Sequence, residues 1–287
     1  MVMKISKAER TYQWINTILL VMVVVVCLYP FIHVTAIAFS SQSEAVRPGV
    51  HLYPMIVDMG SFKTVINNPL IWQSYYNTLH RTLIGTVLSV FVTSLGAYAL
   101  SKKRLPFRTP ILFMVLFSMY FHGGMITDYF LVRQVGLLNT RWAMILPSLV
   151  GGFHLIIMKN FFNSIPESLE EAAYIDGAND FTTYFRIVIP LSKTIIATVA
   201  MFVAVNHWNA YMDNLIYIND KDLYVLQRMI RNLLIDNNTS TMEMENTFNP
   251  ESLKASTVLI STLPIIMVYP FVQKYFIKGV MIGSVKE

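Results

Sequence analysis

Two stretches of this 287-residue chain have the residue types and spacing for chemistry. The first is ESLEEAAYIDGANDFTTYFRIVIP, residues 167–190, where Glu167, Glu170, Glu171, Asp176 and Asp180 stand against Arg186 alone. On a helix Leu169, Ala172, Ala173 and Asp176 share one stripe, with Glu170, Glu171 and Tyr174 beside it. Small apolar residues bordered by acids suit insertion into a groove with basic edges on a partner protein. The second stretch is VAVNHWNAYMDNLIYIND, residues 203–220. Asn206, Asn209 and Asp213 fall on one helical stripe, and His207, Tyr211 and Asn214 on the next. An Asp at bilayer depth costs about 2.5–3.5 kcal/mol, so such groups face protein or a water-filled cavity. Two readings stay open: the set lines a passage, or it hydrogen-bonds neighbouring helices. His207 and Trp208 read as structural, an interfacial tryptophan being commonplace.

The surroundings of both stretches are membrane-like. The chain is 54% hydrophobic and 14% charged, against about 25% charged for a soluble domain. That little charge cannot cover a soluble surface. The single cysteine, Cys27, excludes a disulfide framework. The net charge of +5 does not indicate nucleic acid, because the bases mark loops instead of one face.

A bilayer core about 30 Å thick takes roughly 20 apolar residues of helix. Six stretches qualify, at about 14–39, 77–100, 110–132, 142–162, 191–218 and 255–277. The fold class is therefore an all-α integral membrane protein, with residues 1–287 forming one transmembrane domain. The first stretch is too long for a signal peptide and is expected to stay in the mature protein. Lys4, Lys7 and Arg10, then Lys102, Lys103, Arg104 and Arg108, then Lys274, Lys278 and Lys286 all fall on one side if the count is even. Both termini are then cytoplasmic, and segments 41–76 and 219–253 are external. Leu223, Leu226, Ile230 and Leu233 predict a short amphipathic helix packed over the spans. Gly123-Gly124 predicts a helix break or a tight helix crossing.

The acidic segment is then a cytoplasmic arm, 164–190. Ser164 and Glu167 have capping-box spacing, and Pro166 suits a first turn. Gly177 ends the first helix, Asp180 caps the second, and Pro190 closes it. No GxxxxGK[ST] occurs, so the chain binds no ATP by a P-loop. No HExxH or His pair at i, i+4 supports zinc.

Glu171-Ala172-Ala173, Gly177, Ile187 and Ile189-Pro190 resemble the EAA motif of bacterial ABC-importer permeases, departing only in Ile189 for leucine. EAAYIDGANDF is similar to the carbohydrate-uptake, maltose-permease-like branch. So is the ending QKYFIKGVMIGSVKE, with Gln273, Gly279, Gly283 and Lys286 in place but Glu287 for the usual glycine. FHGGMITDYFLVRQVGLLNTRWAMILP resembles the subset for complex or acidic oligosaccharides.

The resemblance implies the type I ABC importer permease fold in the bacterial inner membrane. The arm becomes a coupling helix seated in a cytoplasmic ATP-binding subunit dimer. Its members are Glu170, Glu171, Ala172, Ala173, Tyr174, Asp176 and Gly177, with Glu171 pairing to bases of that subunit. ATP and Mg bind there, this chain holding no cofactor and being no enzyme. A second, related permease and an external solute-binding protein are implied as partners. Amides, a carboxylate and aromatic faces suit sugar hydroxyls and ring faces, which makes Asn206, Asn209, Tyr211, Asp213 and Asn214 pathway candidates. The competing classes are a membrane-embedded enzyme, for which Asp213 alone is too little, and an ATP-independent transporter, which has no need of the arm.

Overall fold

The computed structural model describes residues 7–235, 251–264 and 266–267. Its regular elements are helical, with one isolated antiparallel bridge, Ser40 to Val57. In chain order they are α1 (Lys7–Ala38), α2 (Gln42–Ala45), α3 (Gly60–Asn67), α4 (Pro69–Ser101), α5 (Arg108–Tyr120) and α6 (Gly124–Gln134). Two 3-10 turns, Arg141–Met144 and Leu146–Ser148, lead to α7 (Gly152–Phe162), α8 (Glu167–Ile175) and α9 (Asp180–Thr183). A π-turn, Tyr184–Val188, runs into α10 (Ile189–Leu191). Then come α11 (Lys193–Asn209), α12 (Met212–Tyr217) and α13 (Leu226–Ile235), the last where the spacing of Leu226 and Ile230 predicts an amphipathic helix. Residues 251–264 are helical as well.

The chain divides into two compact units, Met1–Pro69 with Ile230–Leu263, and Leu70–Met229 with Pro264–Glu287. In the first unit α1 is 32 residues long, and among the described residues nothing covers its most apolar stretch. A helix that is apolar all round needs lipid or another protein around it. Beyond α1 the Glu44 carboxylate accepts from the backbone N–H of Met55 (2.7 Å) and Ile56 (3.1 Å), tying the loop to itself. Ser61 and Ser252 share a buried hydroxyl hydrogen bond of 2.7 Å.

In the second unit α4 buries a face of mostly small residues: Ser74, Thr78, Gly85, Ser89, Thr93 and Ala97. Between membrane helices small side chains let backbones approach, and packing replaces the hydrophobic drive that lipid removes. The core at the far end of α4 joins Tyr98 and Leu100 to Leu155, Met158, Tyr184 and Val199. Tyr184 hydroxyl meets Ser94 Oγ at 2.6 Å, which satisfies a buried phenol.

Three expected spans are interrupted. Helices α5 and α6 meet at 117°, because Gly124 takes φ +83° and no side chain is easily held there. The expected 142–162 span begins as 3-10 turns around Pro147 and bends by 51° before α7. The expected 191–218 span runs as α11, leaves the helix at Ala210 with ψ 132°, and resumes as α12. A further bend of 82° at Ser192 separates α11 from the segment ending in α10. Among the described residues two helices are long and apolar enough to cross a membrane, or up to five if each bent pair is one span. The 255–277 stretch is described at 255–264 and 266–267, and the C-terminal motif lies outside the described residues.

Candidate functional site

The arm is built by local chemistry. Ser164 makes no capping box: its hydroxyl donates back to the Phe161 carbonyl at 2.6 Å. Pro166 is itself the N-cap, and α8 starts at Glu167 without a side-chain cap. At the other end Gly177 (φ +81°) donates to the Tyr174 carbonyl at 3.0 Å, and Ala178 to Ala173 at 2.9 Å. These paired bonds around a left-handed residue form a Schellman stop. The cap of α9 is Asn179, whose side chain accepts from Thr182 N at 2.8 Å. Asp180 is committed elsewhere.

Its partner lies in the basic loop after α4. Lys102 pairs with Glu170, Lys103 with Glu167 (2.8 Å), and Arg104 with Asp180. Three consecutive bases thus grip three carboxylates of the arm. Tyr174 hydroxyl also donates to Asp180, and the Arg104 guanidinium lies 4.9 Å from the Tyr174 ring. The Lys103 ammonium holds the Glu167 carboxyl below its usual range. Burial, then the Asp180 hydrogen bond, pushes the Tyr174 phenol up. The acid cluster that looked unpaired in sequence is therefore partly answered within the chain.

The remaining surface sorts by direction. Ala173 is buried, and Glu170 and Tyr174 are half-buried beside it. Leu169, Glu171, Ala172, Asp176 and Gly177 are exposed. So are two apolar residues that the spacing argument passed over, Ile175 at 87% and Phe181 at 68%. The signal for Ile175 was present, an isoleucine beside the small pair on an otherwise acidic helix.

The two adjacent helical stripes expected in the fifth span are not continuous, because the interruption at Ala210 separates their members. Asn206 and Asn209 are exposed near the end of α11, while His207 and Trp208 are buried on its other side. Tyr211 is half-buried in the interruption. Asn214 is fully buried: its side-chain N–H donates to the Leu223 carbonyl (3.0 Å), and its own carbonyl accepts from Arg228 (2.7 Å). Asp213 is ion-paired with Arg81 of α4. Arg81 is 2% exposed and went unremarked in sequence, although an arginine inside an apolar span is itself a signal.

Residues 10–282 match the family of binding-protein-dependent transport system inner membrane components. The chain is 40% identical over 272 residues to the polygalacturonan/rhamnogalacturonan transport system permease protein YtcP of Bacillus subtilis, covering 93% of this chain and 95% of that one. It is 39% identical over 285 residues to protein LplC of Bacillus subtilis, covering 98% and 97%. Its fold matches a chain of a bacterial ABC transporter involved in the import of the acidic polysaccharide alginate, with TM-score 0.89 and 33% identity over 94% of this chain and 98% of that one. An all-helical membrane chain with a charged arm, matched over nearly its whole length, belongs to the binding-protein-dependent transport system inner membrane component family.

Proposed function

We propose that this chain is one of two different permease subunits of an ATP-driven importer for oligosaccharides, those bearing acidic sugars included. Relatives described for polygalacturonan/rhamnogalacturonan and for alginate support that substrate class. Each bent pair counted as one gives up to five spans among the described residues; with the 255–277 stretch as a sixth, both termini and the arm lie in the cytoplasm in this reading, which the basic loops favour.

The observation that carries the reading is the arm. Its inner face is tied to the basic loop, while Leu169, Ala172, Ile175 and Phe181 stay exposed. In this reading Glu171 and Asp176 meet bases of the ATP-binding subunit, and Ala172 permits close approach. Glu170, Ala173, Tyr174 and Gly177 fix the arm's shape, so that closure of the ATPase dimer on nucleotide is passed to the spans as a rigid movement. Asn206 and Asn209 contact sugar in transit, with Tyr211 and Asp213 beside them; Asn214 supports the bend from within.

The test is uptake into proteoliposomes containing this chain, its second permease and the ATPase, with the solute-binding protein outside. Oligosaccharide accumulation that requires the ATPase and ATP is expected. Uptake that persists when the ATPase subunit is omitted contradicts the proposal.

A further inference from the structure

The interruption at Ala210 leaves backbone groups without helical partners within a stretch apolar enough to be read as a span. In a bilayer, irregular backbone persists only where protein satisfies it or it lines a cavity. Here one side chain does much of that. Arg81 Nη1 donates to the Ala210 carbonyl at 3.2 Å and to Asp213 Oδ1 at 3.0 Å, and Nη2 bonds the other Asp213 oxygen. Its Nε lies 3.5 Å from His207 Nδ1, on the helical side of the interruption. Gly85, one turn further along α4, has no side chain to spare: a Cβ there would sit 2.6 Å from His207 Nε2. The His207 ring is thus boxed between Arg81 and Gly85, and one guanidinium spans both sides of the break.

From this we propose that Arg81 is a positioning residue for the sugar pathway, which rests on the pathway reading above. By clamping His207, Ala210 and Asp213 to α4, it fixes the angle between α11 and α12. That angle sets where Asn206 and Asn209, exposed on the face away from His207, present their amides. The planar fork matters: an ammonium offers a point charge that cannot hold the carboxylate bidentately and the carbonyl together. Arg81 itself is too deeply buried to touch sugar.

The test uses the full importer complex with Arg81→Lys and Arg81→Met. Arg81→Lys is expected to assemble and to raise the half-saturating sugar concentration for uptake about tenfold, with a smaller fall in maximal rate, the signature of misplaced binding groups. In parallel, spin labels at Lys193→Cys and Leu215→Cys, both exposed, on a Cys27→Ser background report the α11–α12 geometry by pulsed EPR without any sugar. A broader distance distribution in Arg81→Lys is expected. An unchanged distribution, an unchanged half-saturation with only lower thermal stability, or failure of both variants to assemble would each overturn the proposal. Asn209→Ala with unaltered uptake would remove the pathway reading, and the EPR result would still judge the clamp.

Discussion

Lys102, directly after the last residue of α4, is ion-paired with Glu170 on the arm, and both side chains are largely withdrawn from water (19% and 13% exposed). The Lys102 ammonium also lies 4.2 Å from the Tyr98 ring. The long helix α4 is thereby joined to the arm by a charge-assisted bond in partial shelter. Removing one partner of such a pair leaves the other charge stranded. The cost is about 1–3 kcal/mol, less than for a fully buried pair because some water contact remains. Lys102→Ala is therefore expected to lower sugar-stimulated ATP hydrolysis while membrane insertion survives, and Lys102→Ala/Glu170→Ala to recover part of the loss. A double-mutant cycle on ATPase rate reads the coupling directly.

Gly177 gives a cleaner case, since no atom lies near enough to clash with a new side chain. Only its backbone conformation, φ +81°, resists substitution. A left-handed non-glycine residue costs about 1–2 kcal/mol, and a β-branched one more. Gly177→Val should leave insertion intact and abolish sugar-stimulated ATP hydrolysis, whereas Gly177→Asn should keep most of it. ATPase assays on the reconstituted complex separate the two variants.

Gly85 fails for the opposite reason. Its backbone is ordinary helix, but the Cβ of Gly85→Ala would press on the His207 ring. Overpacking of this kind costs about 1–3 kcal/mol. Thermal unfolding in detergent should show a lower Tm for Gly85→Ala and a smaller further loss on adding His207→Ala than His207→Ala causes alone. Simple additivity would mean the two helices are not in contact there.

Glu44 makes a pH prediction. The Met55 N–H, foremost, and that of Ile56 hold its carboxyl below the usual carboxylate range, against the opposing effect of burial. A lowered folded-state value means the stabilisation is full above the unfolded value and is lost as pH falls through the folded one. Amide exchange at Met55 and Ile56, corrected for intrinsic rates, should stay slow down to about pH 4.5 and quicken below it. In Glu44→Gln the acid-dependent step should vanish.

How much of this was legible in the sequence varies with the kind of signal. The Gly177 stop was readable, because a glycine after a helical run has one common structural use. The arm's helix was readable from Glu167 to Ile175, but its caps were not. Ser164 and Asp180 had the right spacing, yet Phe161 and Arg104 were better partners in three dimensions. The second span was legible as an apolar run, and its extension back to Pro69 was not, since Pro69, Gln73 and Ser74 interrupt the apolar pattern there. The fifth span was misread as continuous because Ala210 carries no sign of a break. Arg81 bonds Ala210 and Asp213 at the interruption, a non-local contact that no window of sequence contains.

The central claim is that the outward face of the arm meets the ATP-binding subunit. On the Cys27→Ser background, cysteines at Ala172 or Ile175 should cross-link to cysteines on that subunit in a complex that hydrolyses ATP, and a cysteine at the inward Ala173 should not. An active complex in which neither outward position cross-links would contradict it.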